Sequence, residues 1–130
     1  MESEVIYRVI YGDTDCGGVM YYANYLRLFE IGRTELVRQK GLSYKEIEER
    51  WQIILPVVEV YAKYKASAKY DDLLLIKTSL QEIKPLKLTF SYQILKERQI
   101  LVEGKTIHIP INPQGKIVRL PEEILKILKS

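Results

Sequence analysis

Polar and apolar residues alternate through Val5-Ile6-Tyr7-Arg8-Val9-Ile10-Tyr11, which puts Val5, Tyr7, Val9 and Tyr11 on one face, the period of a β-strand. The period then changes. Tyr22, Tyr25, Leu26, Phe29, Gly32, Leu36 and Val37 recur at helical spacing, predicting a long helix from near Tyr22 to Lys40. Gly32 lies on its apolar face, where a missing side chain permits close packing on a sheet. Arg38 and Lys40 suit the negative end of the helix dipole, and Gly41 suits its termination. Ser43-Tyr44-Lys45-Glu46 has the spacing of a capping box and starts a short second helix to about Arg50.

Beyond Pro56 the chain returns to period two. In "IILPVVEVYAKYKA", Val58, Val60, Ala62 and Tyr64 face one way and Glu59, Tyr61, Lys63 and Lys65 the other. "LLLIKTSLQEI", "LKLTFSYQIL" and "ILVEGKTIHIPI" read as three further strands, the last two joined by the polar turn Lys96-Glu97-Arg98-Gln99. Gly104 suggests a bulge. Pro121-Glu122-Glu123 opens a C-terminal helix. One strand, a long helix, a short helix and four strands with short connections predict an α+β fold with an antiparallel sheet that could wrap the long helix. No repeat or linker divides the chain, so residues 1–130 are expected to form a single domain.

Composition narrows the chemistry. There are 130 residues, one Cys and one His, too few for a tetrahedral nitrogen–sulfur zinc site, and no metal is expected. No disulfide framework is possible, and "MESEVIYRV" does not read as a signal peptide, so the expected compartment is the cytosol. No apolar run approaches the ~20 residues of a membrane span. The net charge of +3 is mild, and the lysines recur along strands instead of forming one dense run, which argues against nucleic acid. Abundant Lys, Glu, Ile and Tyr tilt toward a heat-adapted source.

Between the first strand and the long helix lies "GDTDCGGVMYYANY". Its Asp, Thr and Gly suit an ordinary strand-to-helix loop. They also suit catalysis: Gly17-Gly18 lets a ligand approach the backbone, a helix start offers unpaired N–H groups to an oxyanion, and a carboxylate stands just upstream. Tyr21, Tyr22 and Tyr25, at helical spacing, read more readily as core than as ligand contacts. Cys16 and His108 lie on separate patterns and make a poor nucleophile–base pair.

"YGDTDCGGVMYYANYLRLFEIGRTELVR" resembles the signature of the hotdog-fold thioesterases of the 4-hydroxybenzoyl-CoA type, in particular the YbgC-like acyl-CoA thioesterases. Asp13, Asp15, Gly18, Val19, Tyr21, Asn24, Tyr25, Glu30, Arg33, Thr34 and Glu35 carry the likeness. "AKYDDLLLIKT" extends it through Ala68, Asp71, Asp72, Leu74, Ile76 and Thr78. The resemblance implies a single hotdog domain, a curved antiparallel sheet of about five strands around a long central helix. It implies Asp15 as catalytic carboxylate, as nucleophile or general base, and the Tyr22 backbone N–H as oxyanion donor. Some relatives have His where this chain has Tyr22; the backbone donor does not depend on that side chain. Gly18, Val19, Tyr21 and Asn24 fall around the substrate, Glu30 near the acyl pocket, and Leu55 on a segment lining it, which tilts toward an aliphatic acyl group. Lys84 and Lys87 fall near the phosphates of coenzyme A, although Pro85 and Lys87 depart from the family pattern. No cofactor is implied, coenzyme A being part of the substrate. The expected partners are an acyl-CoA substrate and further copies of the chain, as a homodimer or homotetramer. A thioesterase for acyl carrier protein and a non-catalytic acyl-CoA-binding domain are the alternatives.

Overall fold

The computed structural model of the chain describes residues 2–130. Its five strands are β1 (Glu2–Arg8), β2 (Val57–Tyr64), β3 (Leu73–Lys84), β4 (Lys87–Lys96) and β5 (Gln99–His108). They form one antiparallel sheet in the order β1-β3-β4-β5-β2. The fold is α+β: the sheet curves around α1 (Asn24–Gln39), with α2 (Tyr44–Trp51) and α3 (Glu122–Lys129) beside it. Consecutive strands β3, β4 and β5 are joined by tight hairpins through Pro85-Leu86 and Glu97-Arg98.

Helix α1 packs on β1, β3 and β4. It buries Tyr25, Leu28, Phe29, Gly32, Leu36 and Val37. Full burial of Leu28, Phe29 and Leu36 contributes about 2 kcal/mol each. Gly32 permits the approach: a Cβ there would lie 2.1 Å from Thr78 Oγ1. Gly104 does a similar service elsewhere. The expected bulge is absent at this residue, which keeps register opposite Tyr92 and Ala62; the register shifts fall at Val57/Glu59, Leu80/Glu82 and Ile94/Leu95. What the missing side chain admits is the Phe29 ring, 2.2 Å from where a Cβ would stand.

Other boundaries move for identifiable reasons. The first strand stops at Arg8, because the Asp13 carboxylate takes the Ile10 N–H and curls Tyr11–Asp13 into a 3-10 turn. Tyr11 is therefore outside the strand, stacked on Tyr70 at 3.8 Å. Helix α1 begins at Asn24, with Tyr22 and Ala23 in the preceding turn. Tyr22 and Leu26, expected on the buried face, are exposed. Ser43 caps α2 as expected, its hydroxyl accepting the Glu46 N–H at 3.0 Å.

Candidate active site

The buried Asp13 organises the loop before α1. One carboxylate oxygen accepts from the Tyr7 hydroxyl at 2.7 Å and the Ile10 N–H at 3.0 Å; the other is ion-paired with Arg27 of α1. Its main-chain carbonyl takes the Tyr21 N–H and the Asn24 side-chain amide, each at 2.8 Å. Asn24 is thus committed to holding the loop. Thr14 pairs with Met20, and the Asp15 N–H donates to the Val19 carbonyl at 2.9 Å, so residues 13–21 form a short two-stranded ribbon. Gly18 closes its tip at φ +81°, a left-handed conformation that favours glycine.

Asp15 lies exposed at this tip. Its Oδ1 accepts the Gly17 N–H at 2.8 Å, while Oδ2 has no partner among the described residues. At the other end of the ribbon, the Tyr21 N–H is taken by Asp13 and the Asn24 N–H by the Tyr21 carbonyl. Between them, the N–H groups of Tyr22 and Ala23 have no acceptor among the described residues. They are free donors at the positive end of a 16-residue helix. The tyrosines divide: Tyr25 is core, whereas the Tyr21 and Tyr22 rings are exposed and lie against each other, with Tyr22 edge-on to Tyr64.

A second segment mounts the ribbon. Met20 N–H donates to the Ala68 carbonyl at 2.8 Å, Val19 pairs with Lys69, and the Ala68 N–H donates to Tyr25 Oη at 2.9 Å. The turn is fixed by Asp72, whose carboxylate accepts the Lys69 N–H and pairs with Lys96 at 3.0 Å. Periodicity gives no hint of this mounting role; "KYDD" reads only as a turn before the next strand.

Below the free amides a groove runs between α1 and β2. A cavity of about 350 Å³ is lined by Leu26, Phe29, Glu30, Arg33, Val57, Val60 and Thr106. A second, of about 230 Å³, adds Tyr44, Ile54 and Leu55 and shares Glu30 and Arg33 with the first. The groove floor is polar. Burial lowers the His108 pKa to about 4, so the ring is neutral at neutral pH. Its Nδ1 lies 3.0 Å from the Leu55 carbonyl, which can only accept, so the proton is on Nδ1. Nε2 therefore accepts from Thr106 at 2.9 Å, and Thr106 in turn accepts from Tyr92 at 2.5 Å. His108 is a satisfied core histidine. Tyr44, Tyr92 and Thr106 escaped the sequence reading because each reads there as an ordinary helix or strand residue, and Arg33 entered it only as part of the resemblance.

Asp15, Gly18, Val19, Tyr21, Tyr22 and Asn24 share the ribbon and helix start, and Glu30 and Leu55 share the groove. Lys84 and Lys87 are elsewhere, at the β3–β4 hairpin, paired with Glu82 at 3.1 and 3.3 Å. The 12 residues of β3, about 40 Å along its contour, separate that hairpin from the loop mount. Cys16 is exposed and follows Asp15 in the chain. Among the described residues, no group of three His, Cys, Asp or Glu side chains is placed to hold a metal ion.

The sequence profile of the thioesterase-like superfamily matches residues 9–128. The chain is 34% identical over 119 residues to the acyl-CoA thioesterase YbgC of Haemophilus influenzae, covering 90% of this chain and 87% of that one. A hypothetical protein of Thermus thermophilus superposes with a TM-score of 0.92 at 32% identity, covering 99% and 96% of the two chains. A DHNA-CoA thioesterase of Staphylococcus aureus superposes with a TM-score of 0.87 at 30% identity, covering 92% and 80%.

Proposed function

The chain belongs to the thioesterase-like superfamily and is a thioester hydrolase, and we propose that it cleaves small-to-medium acyl-CoA thioesters to the free acid and CoA at the Asp15–Tyr22 loop. The observation that carries this reading is the pair of unpaired amides, Tyr22 and Ala23, directly after the ribbon that bears the exposed Asp15 carboxylate. The substrate carbonyl oxygen docks on the Tyr22 N–H, where the α1 dipole favours the negative charge of the tetrahedral intermediate. Asp15 supplies the attack, either on the carbonyl carbon, giving an anhydride that water opens, or by taking a proton from the attacking water. The leaving thiolate needs no strong acid, since a free thiol has a pKa of about 8.5.

Gly18, Val19 and Tyr21 frame the thioester in this reading, and Asn24 acts by holding the loop. Glu30 and Leu55 border the acyl group, and Lys84 and Lys87, far from this loop within one chain, are proposed as cations that meet the CoA phosphates from a second copy. Strand β2 is an edge strand exposed along most of its length, with Val57, Val58, Val60 and Tyr61 each at least 42% exposed. Pairing of β2 edges between two copies would cover it and wall the groove, favouring a homodimer or a homotetramer built from it. The lone thiol fits a reducing compartment, the cytosol. The net charge of +3 favours one second reading, a thioesterase for an acidic acyl carrier protein.

Thiol release from acyl-CoAs of graded length tests the proposal. The parent should hydrolyse some of them, and Asp15→Asn, which keeps an acceptor for the Gly17 N–H, should lower kcat by about 1,000-fold or more. Parent-like activity in Asp15→Asn would overturn the mechanism.

A further inference from the structure

Asp13 is the only buried carboxylate among the described residues. Every group that meets its oxygens is a donor: the Tyr7 hydroxyl, the Ile10 N–H and the Arg27 guanidinium. That set suits a charged carboxylate, since a neutral one would hold a proton with no acceptor. Arg27 is the one cation in it. From one turn into α1 its side chain leans back toward the helix start. There its Nη2 also donates to Tyr7 Oη at 3.1 Å, and the guanidinium lies over the Tyr7 ring, 5.9 Å from the centroid. The other ion pairs among the described residues have carboxylate side chains 15% to 65% accessible, against 1% for Asp13. Exposed pairs contribute little, whereas a buried carboxylate deprived of its cation is strongly unfavourable.

Both halves of the proposed site hang on this residue. Asp15 stands two residues along the ribbon. On the other side, the Asp13 carbonyl accepts the Tyr21 N–H and the Asn24 side-chain amide, which bracket the free N–H groups of Tyr22 and Ala23. Tyr7 and Ile10 fasten the Asp13 carboxylate to the β1 side of the loop, and Arg27 alone fastens it to α1. An unbalanced carboxylate here would set a negative charge beside amides that must receive an oxyanion, opposing the positive end of the helix dipole. The pair with Arg27 cancels that charge and fixes the base of the ribbon to the helix that carries the donors.

We propose that Arg27 is a positioning residue for thioester cleavage, acting through Asp13 to hold the Tyr22 N–H against the Asp15 ribbon and to keep the helix start positive. This rests on the assignment of the Asp15–Tyr22 loop as the thioester site. Because the oxyanion forms only on the way to the transition state, the effect belongs in kcat and not in KM.

Steady-state thiol release tests it, on the acyl-CoA that the parent turns over fastest. Arg27→Gln should lower kcat by about 30-fold with KM within about twofold, short of the loss expected for an oxyanion donor itself. Arg27→Lys, which restores the cation, should return kcat to within about threefold of the parent. The double variant Asp13→Asn with Arg27→Gln removes both charges while leaving an acceptor for Tyr7 and Ile10, and should keep more than about a tenth of the parent kcat. Parent-like kcat in Arg27→Gln overturns the proposal. So does a rise in KM that accounts for the whole loss, or lysine and double variants no better than Arg27→Gln. If Arg27→Gln does not fold, the double variant decides: a kcat below about a tenth of the parent overturns the charge cancellation. The underlying reading fails separately. Thiol release that Asp15→Asn abolishes and Arg27→Gln leaves intact keeps the thioester site and removes only the role of Arg27. No thiol release by the parent from any acyl-CoA overturns both.

Discussion

The two edges of the sheet are covered in opposite ways. Along β1 the inward side chains of Ser3, Val5 and Tyr7 lie under α1, and Tyr7 is tied to Arg27 of that helix through Asp13. Along β2 no helix does this. Seven of its eight residues are exposed, and Val60, on the α1 side, is 50% accessible. Composition does not predict this, since β2 is the more apolar of the two edges and is the one left open. Gly32 does: without a side chain it brings α1 down onto Thr78 of β3, next to β1. A helix seated there leaves the β2 half open, and that opening is the groove. The packed half supplies the rigidity that holds Asp13 and the loop; the open half supplies room for an acyl chain.

Three measurements sharpen this contrast. The largest effect belongs to the floor of the open half. With the His108 pKa lowered from 6.5 to about 4 in the fold, the neutral ring's stabilisation is complete above pH 6.5 and lost as the pH falls to about 4. That loss should be on the order of 3 kcal/mol. Unfolding measured from pH 7 to 4 should fall less steeply in His108→Gln than in the parent; identical slopes would show the ring is not held neutral.

The next effect tests the packed half. Gly32→Ala should cost about 2 kcal/mol despite better helix propensity, because its Cβ meets Thr78 Oγ1. Thr78→Ala, which removes a buried hydroxyl that has no partner, should recover part of the loss. Denaturant midpoints of the two single variants and the double variant check this, and an unperturbed Gly32→Ala would mean the helix is free to rise.

The smallest effect on stability is expected on the open half. Val60→Lys should cost less than about 0.5 kcal/mol in dilute solution, where chains are apart. In concentrated solution it should shift sedimentation toward the single chain, because it charges the strand proposed to pair. A large loss of stability in dilute solution would mean that β2 is buried within one chain.

Much of the fold is local and was legible for that reason. Period two marks the strands, period 3.6 marks α1, and Ser43 marks the start of α2. The loop was legible through its carboxylates, glycines and position before a helix. Its support was less so. The first strand ends early because Asp13 reaches back to Ile10, and Ala68 matters because its backbone receives Met20. Periodicity records neither kind of contact. Gly104 illustrates the same limit: its place in a strand is readable, but the Phe29 ring that occupies its missing side chain comes from a helix far away in sequence.

By itself, the sequence determined which segments are strand and helix, and that a carboxylate-bearing glycine loop meets a helix start. Those follow from interactions within a few residues. Only the tertiary structure decided which half of the sheet α1 covers. It alone brought Arg33, Tyr44 and Thr106, from two helices and a strand, to the groove, and joined Thr106 to the buried Tyr92 and His108. Burial and hydrogen bonding between distant elements exist only once the chain has closed, and they set the shape and polarity of the space left over.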